Sequence, residues 1–141
     1  MIKTTNSFIS GHSTQQVLAM ISQGRVSSNT AYRAMKLMKA VDKALKKISA
    51  DYLEKIGKTF GALDVDGNPI PEPKAPHGFK LKEGVVEEEF QKAVEEFGRG
   101  EVEVDRWPLT LSDLGEIKLS ALDLSNLGPF FADPEEMVAK D

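Results

Sequence analysis

The strongest pattern in the sequence is an apolar residue repeated every three or four positions between residues 34 and 60. It runs through Ala34, Met38, Val41, Leu45, Ile48, Tyr52, Ile56 and Phe60. This period matches the 3.6 residues of a helical turn, so the pattern predicts one helix of about eight turns. Residues 27–30, Ser-Ser-Asn-Thr, supply its N-terminal capping signal. A helix of this length needs cover for its apolar stripe, from the rest of the chain or from another chain.

Weaker signals predict shorter helices on both sides of the long one. Ser13 and Gln16 form a capping-box pattern ahead of an apolar run, which predicts a first helix ending at Gly24. The first two helices would form an N-terminal hairpin. Residues 85–97 predict a third helix whose acidic first turn suits the helix dipole, and Ser120 begins a last short helix.

Alternating residues indicate a small sheet in the second half of the chain. Residues 101–105 read Glu-Val-Glu-Val-Asp, the pattern of a half-buried strand. We expect further short strands within 79–82, 109–111 and 117–119. The predicted fold class is therefore α+β, an N-terminal helical hairpin with one long helix followed by a helix packed on a small antiparallel β-sheet. The predicted core comprises Met38, Val41, Leu45, Ile48, Tyr52, Phe60, Phe90, Phe97, Val102, Val104, Leu111 and Leu124.

The length of 141 residues and the hydrophobic content of 40% fit one domain with its own core. Within this single domain, residues 1–60 form a helical and basic part. Residues 61–78 form a connection rich in proline and glycine. Residues 79–131 form an acidic α+β part, and residues 132–141 a polar tail.

Charge divides unequally along the chain, although the formal net charge is only -4. Residues 1–60 hold ten Lys/Arg and three Asp/Glu, whereas residues 61–141 hold eight and nineteen. Complementary surfaces on one chain favour head-to-tail contacts between copies, while the solvation of long helices is the simpler explanation. The candidate charged contacts are Arg33, Lys36, Lys39, Lys43, Lys46 and Lys47 on the long helix and Glu101, Glu103 and Asp105 on the strand.

Three aromatic residues late in the chain are further candidates for binding a macromolecule. Trp107 beside Pro108 is either a corner residue packed in the fold, which is the favoured interpretation, or an anchor for a partner. Phe130 and Phe131 precede an acidic tail and are the best candidates for an exposed anchor, because paired aromatic residues there need cover.

Apparent motifs for nucleotides and metals fail in detail. The chain contains no cysteine, which excludes a disulfide framework, thiolate metal ligands and a cysteine nucleophile. Residues 57–59, Gly-Lys-Thr, lack the upstream glycine of a phosphate-binding loop, and residues 64–68 lack the later glycine and glutamate of a calcium loop. His12 and His77 stand apart in expected loops. We therefore predict no catalytic residue, no metal site and no cofactor, and we expect that the protein is not an enzyme.

Residues 14–38 allow an alternative interpretation as a helix-turn-helix. A short helix, a turn at 23–28 and a second helix carrying Arg33 and Lys36 are the ingredients of that motif, with lysines available for phosphate contacts. The second helix is far longer than a recognition helix, however, and the acidic second half would repel DNA. Nucleic acid is therefore the less favoured partner.

The sequence also bears on where the protein acts. No apolar run approaches the roughly 20 residues that cross a bilayer, so we expect no membrane partner. The N-terminus lacks the basic-then-apolar order of a signal peptide, which predicts a cytoplasmic location in the cell that makes the protein.

Three segments, residues 25–33, 52–68 and 90–130, follow one another in a recognisable order. They contain the entry into the lysine-rich helix, the Asp-Val-Asp-Gly-Asn turn and the Leu-Thr-Leu-Ser-Asp-Leu stretch. This order resembles that of small proteins of tailed bacteriophages and prophages with no assigned activity. The resemblance implies phage origin, a location in the host cytoplasm or in a phage particle, and an α+β fold with N-terminal helices. It transfers no functional residues.

Together these features predict a non-catalytic phage protein that acts by protein–protein contact. It would assemble with itself as a homo-oligomer or contribute to the assembly of the phage particle. The first alternative is a phage inhibitor of a host protein or defence complex. The second alternative is a helix-turn-helix regulator that binds DNA.

Overall fold

The computed structural model describes residues 2–75 and 77–132, and its fold is α+β as predicted. The helices are α1 (Asn6–Gly11), α2 (Thr14–Gln23), α3 (Ser28–Tyr52), α4 (Lys58–Phe60), α5 (Glu87–Gly98) and α6 (Ala121–Leu127). The strands are β1 (Ile2–Thr5), β2 (Glu101–Val104), β3 (Leu109–Thr110) and β4 (Phe131–Ala132). The predicted tail, residues 132–141, lies outside the described residues except for its first residue.

Helix α3 is the predicted long helix, and it begins where the sequence places its cap. The side chain of Ser27 accepts a hydrogen bond from the backbone N–H of Thr30 at 3.1 Å. A π turn and α4 continue the helical path as far as Phe60, so the predicted extent is confirmed. The buried stripe is wider than predicted, because Leu37 and Ala44 are buried as well.

The predicted hairpin of α2 and α3 is also present. Val17, Leu18 and Ile21 lie on the face of α2 that packs against α3, and their side chains are almost completely buried. Ser13 occupies the N-cap position of α2, but its side chain makes no capping hydrogen bond. Helix α1 is not among the predicted helices, because its 6 residues are too few to show a helical period.

Strands β1 and β2 form an antiparallel pair in which Ile2 lies opposite Val104. Strand β2 confirms the strand predicted at residues 101–105. Strand β1 is not among the predicted strands, because four residues that include two threonines show no clear alternation. Helix α3 packs against β2, so the long helix and the strand form the two walls of the region described below.

Strands β3 and β4 form a short parallel pair. The strand expected within residues 109–111 ends early, because Thr110 and Asp113 form a capping box that starts a 3-10 turn. Leu111 is consequently 52% exposed, and its predicted place in the core is wrong. Residues 117–119 pair with no other strand in the described part of the chain, so the strand expected there is wrong too.

Residues 61–75 and 77–82 fold back on one another, so the region predicted as a connection has structure of its own. Antiparallel bridges hold it together, and its turn at Asp64 is closed by a side-chain oxygen that accepts hydrogen bonds from the N–H groups of Asp66 and Asn68. Phe79 attaches the excursion to the fold, because its side chain is completely buried. The bridges join Gly61 to Leu81, Leu63 to Pro69 and Pro71 to Phe79.

The core consists of two clusters. The larger one lies between α2, α3, the β1–β2 pair and the C-terminal turns, and Val41, Ile48 and Val104 are buried there as predicted. The smaller one surrounds the end of the long helix. Its buried members are Ile56, Phe79 and Phe90. Most of the remaining predicted core residues are partly buried and pack against these clusters: Met38, Leu45, Tyr52, Phe60, Phe97 and Val102. Leu124 is half-buried.

Candidate functional site

Trp107 is the most prominent aromatic residue on the surface, with 64% of its area exposed. It is therefore not the packed corner residue that the sequence analysis favours. Its ring lies over Arg33 of α3, with the guanidinium carbon 6.0 Å from the ring centroid. This is a cation–π distance, and it leaves the outer part of the indole ring free to contact a partner.

Arg33 is held in place by the loop that follows Trp107. Its Nη1 donates to a carboxylate oxygen of Asp113 at 3.2 Å, and its Nη2 donates to the carbonyl of Pro108 at 3.3 Å. The same carboxylate accepts a hydrogen bond from the backbone N–H of Thr110 at 2.8 Å. The Nε of Arg33 is buried and has no hydrogen-bond partner among the described residues. The guanidinium is therefore held by two hydrogen bonds, while its buried Nε donor is unused.

Tyr32, Lys36 and Arg106 complete a pocket of about 260 Å³ around Arg33 and Trp107. The ammonium group of Lys36 lies 5.2 Å from the centroid of the Tyr32 ring. Arg106 is partly neutralised, because its Nη1 donates to the backbone carbonyl and the carboxylate of its neighbour in the chain. We call these five residues the aromatic-basic pocket.

A groove of about 750 Å³ continues from the aromatic-basic pocket along α3, and Lys36 and Arg106 line both. We call it the charged groove. The lysines on its α3 wall recur every three or four residues, so they share one face of the helix. The opposite wall is β2 and the residue after it. The α3 lysines are Lys36, Lys39, Lys43 and Lys47, with Lys55 following in the π turn, and the acidic residues are Glu101, Glu103 and Asp105.

The two walls attract each other across the groove without direct ion pairs. In the described residues, Glu103 pairs with Lys3 at 3.9 Å and Asp105 with Arg106 at 3.3 Å, but no α3 lysine pairs with a β2 carboxylate. These exposed pairs contribute little to stability. The lysine row and the acidic row therefore face each other within one molecule and remain open to a partner of mixed charge.

The structure thus brings together most of the residues that the sequence analysis selects, all except Lys46, Phe130 and Phe131. Lys46 lies outside the groove and pairs with Asp42 at 3.1 Å. Phe130 is completely buried, so its predicted role as an exposed anchor is wrong. The physical reason is the turn at Gly128, whose φ of +47° starts a 3-10 turn that directs the Phe130 side chain into the core. Phe131 is half-buried in β4.

Tyr32 and Arg106 line the pocket but are not among the residues predicted from the sequence. Each directly adjoins a selected residue, since Tyr32 precedes Arg33 and Arg106 precedes Trp107. Tyrosine and arginine are both enriched in protein interfaces. Their residue type, next to Arg33 and Trp107, was the sequence signal that could have identified them. What the sequence does not reveal is that residues 32–36 and 106–107 lie side by side.

A second cleft, of about 850 Å³, lies between α1, the end of α3 and α5. Its lining is mostly hydroxyl and apolar side chains, with Tyr52 and Phe97 among them. Burial raises the pKa of the Tyr52 hydroxyl above its ordinary value. Although larger, this cleft contains none of the selected residues and no concentration of charge. In the described part of the chain, no three side chains of metal-ligating type cluster together. We therefore assign more weight to the aromatic-basic pocket.

The geometry around α3 also tests the helix-turn-helix interpretation. Helices α2 and α3 are joined by residues 24–27, as such a motif requires. Arg33, which would contact DNA, is instead held by Asp113 and Pro108. Farther along α3, phosphates that approach the lysine row would also approach the acidic wall of the charged groove. This arrangement disfavours DNA.

Comparison with protein-family models, with curated proteins and with solved structures finds no match for this chain. Among the described residues, no helix is both long enough and apolar enough to cross a membrane. Any assignment of function therefore depends on the geometry of the aromatic-basic pocket and the charged groove.

Proposed function

We propose that the chain is a non-catalytic protein that acts by protein–protein contact through the aromatic-basic pocket. The observation that carries this proposal is the exposed Trp107, stacked on Arg33 and flanked by Tyr32. Tryptophan, tyrosine and arginine are the residues that dominate the binding energy of protein interfaces. Here they stand together at the end of a groove.

The rigidity of the pocket supports the same function. Arg33 is held by two hydrogen bonds, and Trp107 rests on it. Side chains that are already ordered lose little entropy when a partner binds, so more of the contact energy appears as affinity.

The charge pattern supports a protein partner over nucleic acid. A phosphate backbone needs a surface that is positive throughout, because its affinity comes mainly from cation contacts. The charged groove carries lysines on one wall and Glu101, Glu103 and Asp105 on the other. A polypeptide with both kinds of charge fits such a groove better than a polyanion does.

The resemblance to proteins of tailed bacteriophages adds a setting to this proposal. The partner is then a second copy or another protein of the phage particle, met in the host cytoplasm and retained in the particle. Contact with a host protein, as in an inhibitor, would use the same pocket and differs only in the identity of the partner.

The first experiment measures molar mass by light scattering after size exclusion, at low and high salt. We expect the wild type to form a salt-sensitive oligomer, because charged contacts at the rim are screened by salt. Trp107→Ala should weaken association about tenfold or more, as expected for a central aromatic residue. Leu122→Ala is the matched control, since Leu122 is 70% exposed, lies on α6 and does not line the pocket.

A wild type that remains monomeric at both salt concentrations would contradict self-assembly and leave a host or particle protein as the partner. Equal association of Trp107→Ala and wild type would show that the pocket is not the contact surface.

A further inference from the structure

The start of α5 presents an apolar and acidic tip. Val86 is 52% exposed and occupies the N-cap position without a side-chain capping bond. Glu87, Glu88 and Glu89 follow in the first turn, and all three are exposed. We call residues 86–89 the α5 tip.

The aromatic-basic pocket has the complementary character. Trp107 and Tyr32 offer exposed aromatic surface for an apolar side chain. Lys36 carries a positive charge that no ion pair engages in the described part of the chain, and Arg106 adds a second that Asp105 partly neutralises. A valine followed by carboxylates therefore matches the pocket in both its apolar and its charged parts.

Pocket and tip lie toward opposite ends of the molecule. The ring centroids of Phe60 and Phe90 are 5.4 Å apart, which places the first turn of α5 beside the end of the long helix. Lys36 lies near the other end. At 1.5 Å per residue, the helical path from Lys36 to Phe60 is roughly 35 Å long. The two surfaces cannot meet within one copy.

We infer that the aromatic-basic pocket of one copy receives the α5 tip of a second copy, so that the copies join head to tail. This inference rests on the proposed function and names its partner. Each copy then has a free pocket at one end and a free tip at the other. Such a contact repeats until it closes into a ring or extends as a filament.

Other acidic groups fit the pocket less well. Glu101, Glu103 and Asp105 already face the lysine row of their own molecule across the charged groove. They are therefore poorer candidates than the sequence analysis suggests. At the far end of α5, Glu95 lies 4.0 Å from Arg99. The α5 tip combines three exposed carboxylates with an exposed apolar side chain, and no ion pair engages those carboxylates in the described part of the chain.

Two variants with neutral substitutions test the inference. The pocket variant is Trp107→Ala with Lys36→Gln, and the tip variant is E87Q/E88Q/E89Q. Neutral changes are chosen because reversed charges on both surfaces would create a new attraction between the variants. Circular dichroism of each variant verifies that it is folded, and the changed residues are exposed or half-buried.

We expect each variant alone to associate about tenfold more weakly than the wild type, or more weakly still. An equimolar mixture should form a pair with one copy of each variant and grow no further, because it contains one intact pocket and one intact tip. Native mass spectrometry with one variant labelled by ¹⁵N identifies that pair. The matched control E95Q/E96Q neutralises the other end of α5 and should associate like the wild type.

Three outcomes would overturn the inference. A tip variant that associates like the wild type would show that the pocket receives another surface. A mixture that stays monomeric, although the wild type associates, would show that pocket and tip do not bind each other. If E95Q/E96Q loses as much association as the tip variant, net charge alone would explain the effect. A monomeric wild type would instead contradict the self-assembly on which the inference rests, so the two failures are distinguishable.

Discussion

Arg33 is the residue through which the exposed pocket is attached to the folded chain. Its guanidinium lies between the indole ring of Trp107 on one side and Asp113 and the Pro108 carbonyl on the other. An arginine suits this place because its planar group can stack and donate several hydrogen bonds at once. In the sequence, Arg33 is one candidate charge among several on the long helix. Its tie to Asp113, eighty positions away, depends on the tertiary fold.

Tyr52 provides a prediction about pH. Burial raises the pKa of its hydroxyl above the ordinary value of 10.0. The folded chain therefore holds this proton more tightly than the unfolded chain. The contribution to stability is complete below the unfolded pKa and is lost as the pH rises through the folded pKa. Urea unfolding at about pH 8 and about pH 11 measures this loss. Between these two pH values, the free energy of unfolding should fall less in Tyr52→Phe than in the wild type.

All other ionisable groups are the same in both proteins, so the difference between wild type and variant is the informative quantity. A Tyr52→Phe variant that loses as much stability as the wild type would show that Tyr52 ionises as freely in the folded chain as in the unfolded one.

Elements differ in how far their sequence specifies them. Helix α3 is predicted well because its apolar period and its Ser27 cap are local. Strand β1 is missed because its partner, β2, lies about a hundred residues away and its own four residues carry little pattern. The buried position of Phe130 depends on the left-handed turn at Gly128, which sequence alone suggests only as a helix end. The pocket is hidden for the same reason, since its residues come from α3 and from the segment after β2.

The two capping boxes permit a comparison at the level of elements. Asp113 and Asp123 each accept a hydrogen bond from the backbone N–H of their capping residue, but Asp113 also binds Arg33. We expect Asp113→Ala to lower the free energy of unfolding by about 2–3 kcal/mol, because it also leaves a half-buried guanidinium unpaired. Asp123→Ala should cost only about 1 kcal/mol.

Urea denaturation of both variants measures these losses. Equal losses would mean that the contact between Asp113 and Arg33 contributes nothing beyond the cap. In that case the rigidity attributed to the pocket would lack an energetic basis.

In the folded molecule, charge is arranged differently from the separate basic and acidic surfaces that the sequence predicts. The basic and acidic halves do not form separate faces throughout, because α3 and β2 bring lysines and carboxylates to the two walls of one groove. In the described part of the chain, no ion pair engages the carboxylates of the α5 tip or the ammonium group of Lys36 in the aromatic-basic pocket. Their separation along the long helix is what makes an end-to-end contact geometrically possible.

If the aromatic-basic pocket is a protein-contact surface, the fluorescence of Trp107 will report the binding of a partner. The chain contains one tryptophan, so its emission reports on this pocket alone. As protein concentration rises at low salt, we predict that the emission shifts to shorter wavelength and that quenching by acrylamide falls, because a partner covers the indole ring. High salt should reverse both changes. Emission and quenching that stay constant while the molar mass increases would place the contact elsewhere and contradict the account.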